Sequence, residues 1–377
     1  MLQSSHAPVS YEASPTVAGC RSTLIGAEVN ALMESRHFIA HSAGSIELET
    51  QNLDDPGPGE ILVWNRLTAM SPGTERASLL DMPNTPAGAW PRRVGYSGVG
   101  DVIAVGPGVD LTIGTRVLTI EHHASVVCVT TDRVRPIDSA IADEDAAFHR
   151  LLQITLQGVR KARIEIGETV LVIGAGLIGS LAAQFAYAAG AAQVLVADTD
   201  PVRRALVDPI AGLESIDPAT LEPLDVTTPA GRERILTSPP GGPAVVFECT
   251  GSPAPIATAF ELAGHLARVV LLASTRGITD GVNFYRYVHK KGLTVIGAHD
   301  SIRPLGHRGD PTSETMPTLW SSQRDVDAAM AMVASGRIQL APLITHRVMP
   351  DDFESVYNLL FTSDPSLVGC VFDWSDG

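Results

Sequence analysis

The residues best spaced for chemistry are the glycines of Gly174-Ala175-Gly176-Leu177-Ile178-Gly179. Three glycines at this spacing act together when a strand precedes them and a helix follows. Gly174 permits the tight turn, Gly176 lets the backbone approach a pyrophosphate, and Gly179 lets the helix pack closely on the strand. The free N–H groups of the helix's first turn, at Leu177 and Ile178, then face the anion. Asp198 lies about 20 residues further on, where a carboxylate accepts hydrogen bonds from the ribose of NAD and repels the 2′-phosphate of NADP. Its plainer use would be to cap the helix that Pro201 opens. Arg203 and Arg204, just beyond, could accept that phosphate, so NADP stays open beside the favoured NAD.

The elements that must position these residues are legible on either side. Residues 169–173 are continuously apolar, 177–189 have helical character without proline, and 194–197 are apolar again. Later come apolar runs at 244–248, 268–272 and 293–297, with a helical stretch at 255–263. Continuous apolar strands alternating with helices predict a parallel sheet covered on both faces. Before about residue 143 the texture differs. Short apolar runs at 61–64, 94–105, 116–120 and 125–130, with turns such as Pro56-Gly57-Pro58-Gly59, predict a small barrel-like domain. One helix is expected over 144–160, and two more over 325–335 and 352–362; residues 369–372 read as a closing strand.

The whole chain narrows the classes. Its 377 residues suffice for two domains, and a net charge of −15 repels phosphate backbones, so neither nucleic acid nor an anionic membrane is an expected partner. Cys20, Cys128, Cys249 and Cys370 are too scattered for a disulfide framework. Val17-Ala18-Gly19-Cys20 has the form of a lipoprotein box but lacks the basic and apolar segments that one needs. The uncharged run 169–197 is long enough to span a bilayer, yet its glycines and polar Ser180 and Gln184 suit a buried strand–turn–helix–strand better. A cytoplasmic protein with a small-molecule substrate is the expectation.

Beyond these patterns the chain resembles the medium-chain dehydrogenase/reductase superfamily over about residues 37–377. The resemblance rests on Ser71-Pro72-Gly73-Thr74-Glu75, on Gly95-Tyr96-Ser97-Gly98-Val99-Gly100 with Gly106, on the glycine loop, and on Glu248-Cys249-Thr250-Gly251-Ser252. It also rests on residues 289–299, His-Lys-Lys-Gly-Leu-Thr-Val-Ile-Gly-Ala-His. The first and last of these look like a subgroup near bacteriochlorophyllide dehydrogenases and polyol or cyclitol dehydrogenases. The resemblance implies an α/β fold: a GroES-like, β-rich catalytic domain (36–155 and 304–377) interrupted by a Rossmann domain (156–303), behind an extension (1–35). It implies an active site between the two, with the loops at Thr250 and Ala273 lining the cofactor, and a homo-oligomer, dimer or tetramer.

Where zinc-dependent members carry their ligands, this chain has Pro72, Tyr96 with Ser97, and a position near Arg150. The resemblance therefore implies a zinc-free member, in which side chains must take the hydroxyl proton as hydride leaves, or stabilise the oxyanion. Tyr96 is the first candidate, against a packed aromatic. Glu75 reads more readily as a structural acid than as a base, and Thr74 matches a hydroxyl that relays protons. His123 could titrate near neutral pH, and being adjacent to His122 it would point away from it on a strand. Arg150 could fix a positive charge beside an oxyanion or an acidic substrate group. The expected function is a zinc-independent, NAD(H)-dependent dehydrogenase of a secondary alcohol such as a polyol, cyclitol or sugar-like compound. An NADPH-dependent quinone or enoyl reductase and a non-catalytic dinucleotide-binding protein are the alternatives.

Overall fold

The computed structural model describes residues 33–86, 88–210, 212–216, 241–300 and 320–375. The lipoprotein-like box at Cys20, most of the expected extension and the stretch 301–319 lie outside the described residues. The first strand begins inside the expected extension. Strand β1 (Met33–Ala40) pairs antiparallel with β2 (Glu47–Leu53), and the Ser35 hydroxyl donates to the Val126 carbonyl (2.6 Å).

The β-rich half continues with β3 (Glu60–Ala69), α1 (Pro72–Leu79), β4 (Arg92–Arg93), β5 (Gly98–Val105), β6 (Arg116–Thr119), β7 (Val126–Thr130) and β8 (Val134–Pro136). Two helices, α2 (Asp143–Ala147) and α3 (His149–Ala162), lead into the α/β half. There β9 (Thr169–Ile173), α4 (Leu177–Ala188), β10 (Gln193–Ala197), α5 (Pro201–Val207), β11 (Leu213–Ile216), β12 (Val245–Glu248), α6 (Ala254–Leu262), β13 (Arg268–Leu271) and β14 (Thr294–Gly297) follow. The chain then returns to the first half through α7 (Ser322–Ala334), β15 (Ile344–Val348), α8 (Phe353–Thr362) and β16 (Gly369–Asp373).

In the α/β half the six strands run in the order β11-β10-β9-β12-β13-β14, every pair parallel. This is the doubly wound order whose connections reverse direction between β9 and β12, and ligands bind beyond the strand ends at that reversal. Val170, Leu171 and Val172 are fully buried because helices cover both faces, which explains why β9 reads as unbroken apolar sequence. In the other half, β15-β16-β3-β5-β6-β8 form a sheet with β7 paired to β3, and β2-β1-β4 form a small one. The fold is thus a GroES-like domain joined to a Rossmann domain.

One expected element is broken. The helix anticipated over 144–160 is two helices, interrupted at Phe148, whose ring is fully buried in the core. Ser97 bridges the break: its hydroxyl donates to the Ala147 carbonyl (2.5 Å) and accepts from the Arg150 N–H (3.3 Å). A side-chain hydroxyl that satisfies backbone groups on both sides of a break removes the advantage of continuing the helix. Among the described residues no helix is long and apolar enough to cross a membrane.

Candidate dinucleotide and active site

The glycine loop sits at the reversal point of the sheet. Gly174 has φ +102° and donates its N–H to the Ala197 carbonyl (2.7 Å). A Cβ on Gly179 would lie 1.8 Å from the Gly174 carbonyl oxygen, so α4 can begin this close to β9 only with glycine there. Helix α4 starts at Leu177, and the first-turn N–H groups, including those of Leu177 and Ile178, have no intrahelical acceptor.

Asp198 follows β10 and is 8% exposed. Its Oδ2 accepts from the Ala175 N–H (2.7 Å) and its Oδ1 from the Asp200 N–H (2.9 Å). The carboxylate is therefore tied to the glycine turn, and the plainer role of capping α5 belongs to Asp200, which accepts from Val202 and Arg203 N–H. Arg204 donates to the Asp198 carbonyl (2.8 Å) and Arg203 to the Pro365 carbonyl (3.5 Å). Across the reversal point, Glu248 is fully buried at the end of β12. Its Oε1 accepts from the Thr250 N–H (2.8 Å), Oε2 has no partner, and burial pushes its carboxyl up. Thr250 is exposed at this edge, and the Ala273 N–H donates to the Glu248 carbonyl (3.1 Å), which brings both loops to the glycine turn. Burial holds the Cys249 thiol far above its usual range, which makes it a poor nucleophile.

On the β-rich side, the candidates divide into a buried chain and a partly open cluster. Glu75, 2% exposed on α1, accepts from the Ser71 N–H (2.8 Å), from the Tyr357 hydroxyl (3.1 Å) and from His123 Nε2 (3.2 Å). His123 is fully buried, with Nδ1 2.8 Å from the Thr68 hydroxyl, to which the Trp374 indole N–H donates (2.9 Å). The donors run consistently one way: indole to Thr68, Thr68 to Nδ1, and Nε2–H to Glu75. Gly95 makes room, since a Cβ there would meet the His123 ring at 2.6 Å. His122 turns instead toward His37, ring centroids 6.0 Å apart. His123 and Glu75 are thus paired in one buried hydrogen-bonded chain beside α1.

Tyr96 lies beside this buried chain. Its hydroxyl donates to Ser71 Oγ (2.6 Å) and also meets the Thr74 hydroxyl, with Arg150 close enough to act on it electrostatically. Burial raises the phenol above its usual range, so it is a proton donor at neutral pH. Thr74 is exposed, and half-buried Arg150 pairs with Asp300 beyond β14 (2.7 Å). Sequence reasoning missed Ser71, the acceptor for Tyr96, and Ser97, which fixes Arg150. It also missed Tyr357 and Trp374, whose partners lie some 280–310 positions away and left no local signal.

The model of the zinc-binding dehydrogenase family matches residues 178–301. The chain is 25% identical to 2-desacetyl-2-hydroxyethyl bacteriochlorophyllide A dehydrogenase of Rhodobacter capsulatus, over 91% of this chain and 99% of that one. It is 27% identical to L-galactonate-5-dehydrogenase of Escherichia coli, over 70% and 78%. Its fold matches that of 2R,3R-butanediol dehydrogenase from Bacillus subtilis with a TM-score of 0.72 at 19% identity, covering 90% and 99%. In sequence and in fold the chain is thus similar to dehydrogenases of alcohols and sugar acids.

The family name implies zinc, and the residues here do not suit it. Pro72 has no donor atom, Arg150 is a cation, and Tyr96 is held protonated. Among the described residues the one group of three potential ligands within reach of each other is His41, Glu47 and Glu49, at the β1–β2 turn and its edge.

Proposed function

We propose that the protein is a zinc-independent, NAD(H)-dependent dehydrogenase of a secondary alcohol, of polyol, cyclitol or sugar-like type. The observation that carries the reading is Asp198. Its carboxylate is held against the glycine turn by the Ala175 N–H, where ribose hydroxyls would donate to it, while Arg203 and Arg204 are engaged by carbonyl oxygens. Leu177, Ile178 and Gly179 N–H groups would take the pyrophosphate, and the loops at Thr250 and Ala273 would flank the adenosine and nicotinamide ends.

For the chemistry, the geometry favours Tyr96 as acid rather than as pre-ionised base. In the reducing direction hydride adds to the carbonyl carbon and the Tyr96 hydroxyl delivers a proton to the carbonyl oxygen, drawing a replacement through Ser71 and Thr74. Oxidation runs the same path backwards, with the alcohol proton leaving through Tyr96. Arg150 would stabilise charge that develops on the substrate oxygen. Glu75 and His123 act only by holding Ser71 in place. Turnover of a polyol panel with NAD, in the presence and absence of a chelator, tests this reading. NAD-linked turnover that a chelator leaves intact supports it, and activity abolished by chelation and restored by zinc refutes the metal-free part.

The NADPH-dependent reductase reading draws on the same protonated phenol, which suits protonation of an enolate, and the position of Asp198 weighs against it. A cytoplasmic dimer or tetramer remains part of the proposal by resemblance, and sedimentation of the purified chain checks the assembly.

A further inference from the structure

A second opening shares Arg150 with the candidate active site. It is a cavity of about 490 Å³, enclosed by the end of β6, by β8 and by the first turns of α3 and α7. Three arginines line it, Arg133, Arg135 and Arg150, against one acidic residue, Asp132. Each arginine has a carboxylate partner outside the lining: Glu121, Asp327 and Asp300 respectively. A guanidinium carries five donors, so one carboxylate leaves it able to take a second anion.

His149 supplies an independent observation. It lines the same cavity and is 3% exposed, with Nε2 2.9 Å from the Thr119 carbonyl. A carbonyl only accepts, so the ring proton is on Nε2 and Nδ1 presents a lone pair. That Nδ1 is buried without any partner. Burial lowers the imidazole to about 4, which keeps Nδ1 an acceptor at neutral pH. A buried acceptor without a donor costs free energy that a ligand hydroxyl would recover. Arg150 lines this cavity and also acts electrostatically on Tyr96, so the two sites share one side chain.

We infer that this cavity recognises the acidic end of a hydroxylated substrate: a carboxylate or phosphate seats among the arginines while a neighbouring hydroxyl donates to His149 Nδ1. The inference rests on the dehydrogenase reading above and narrows its substrate class to anionic polyols.

The test uses the full chain saturated with NADH and three probes: sorbitol, gluconate and sorbitol 6-phosphate, with affinities measured by saturation-transfer NMR. At least one acid should bind about tenfold more tightly than sorbitol, the gain of one charge-assisted pair. Which acid does so identifies carboxylate or phosphate as the group. His149→Phe and, at the rim, Arg135→Gln should each weaken that acid about fivefold or more while leaving NADH affinity unchanged. Arg135→Gln keeps the test open if the buried substitution unfolds the protein. Sorbitol binding as tightly as both acids, with NADH bound normally, overturns the inference and leaves the dehydrogenase reading standing. Affinity for the acid that neither variant alters overturns it too. Failure to bind NADH at all would sink the parent reading, and the same three titrations without cofactor then decide the cavity's preference separately.

Discussion

Replacing Glu75 by glutamine separates support from chemistry. The carboxylate accepts three hydrogen bonds in a site without solvent, from Ser71 N–H, His123 Nε2 and the Tyr357 hydroxyl. In Glu75→Gln the amide oxygen keeps the Ser71 and His123 donors, and the new NH₂ faces Tyr357, whose hydroxyl rotates to accept. Shape is retained, so no cavity opens. What is lost is charge assistance, roughly 1 kcal/mol for each of the three bonds. Part of that returns because the amide need not be desolvated as an ion, leaving a net destabilisation of about 2 kcal/mol. Glu75→Ala strands all three donors and should cost about 5 kcal/mol, a large part of a total stability of ~5–15 kcal/mol. Urea unfolding followed by tryptophan fluorescence measures both, and Trp374 reports from inside the network. The folded Glu75→Gln protein should keep its NADH affinity and most of its turnover. A variant as stable as the parent but inactive would refute the reasoning and make Glu75 the base.

Tyr96→Phe should reverse that pattern. It removes the hydroxyl's bonds to Ser71 and Thr74, about 1–2 kcal/mol of stability, but lowers kcat by about 10²–10⁴ with little change in NADH affinity, measured by steady-state kinetics and cofactor fluorescence. Gly179→Ala forces the loop away from α4, and NADH Kd should rise at least about tenfold; an unchanged Kd would mean that the loop does not hold the pyrophosphate. Acid should also destabilise the fold through His149. Its folded-state value of about 4 lies below the ordinary 6.5, so stability falls as pH drops from about 6.5 toward 4. The unfolded chain alone takes up the proton in that window, at a cost on the order of 3 kcal/mol. His149→Gln should reduce this dependence in urea melts recorded at several pH values, leaving the part due to His122, which burial lowers to about 3.

The Rossmann half was legible because its physics is local. A strand buried on both faces must be apolar throughout, as β9 is, and a turn that meets a pyrophosphate needs Gly174, Gly176 and Gly179 within one short segment. The carboxylate of Asp198 could be placed because strand and helix lengths set its distance from the loop. The β-rich half was less legible because its contacts are remote in sequence. Ser97 breaks the helix at Phe148 from 50 positions away, and no periodicity in 144–160 carries that information. Likewise His123 could be assigned an orientation only once Thr68, Glu75 and Trp374 were seen around it. Residue type alone favoured a structural hydrogen-bonder and left a titrating catalytic group as the alternative.

Asp198 decides the choice of cofactor, and equilibrium titration of the purified chain with NADH and NADPH side by side tests that role most directly. NADH should bind more tightly by at least about tenfold, since a 2′-phosphate would meet a buried carboxylate while Arg203 and Arg204 are engaged by carbonyl oxygens. Equal affinity, or a preference for NADPH, would contradict it and would mean that Arg203 or Arg204 leaves its carbonyl partner to take the phosphate.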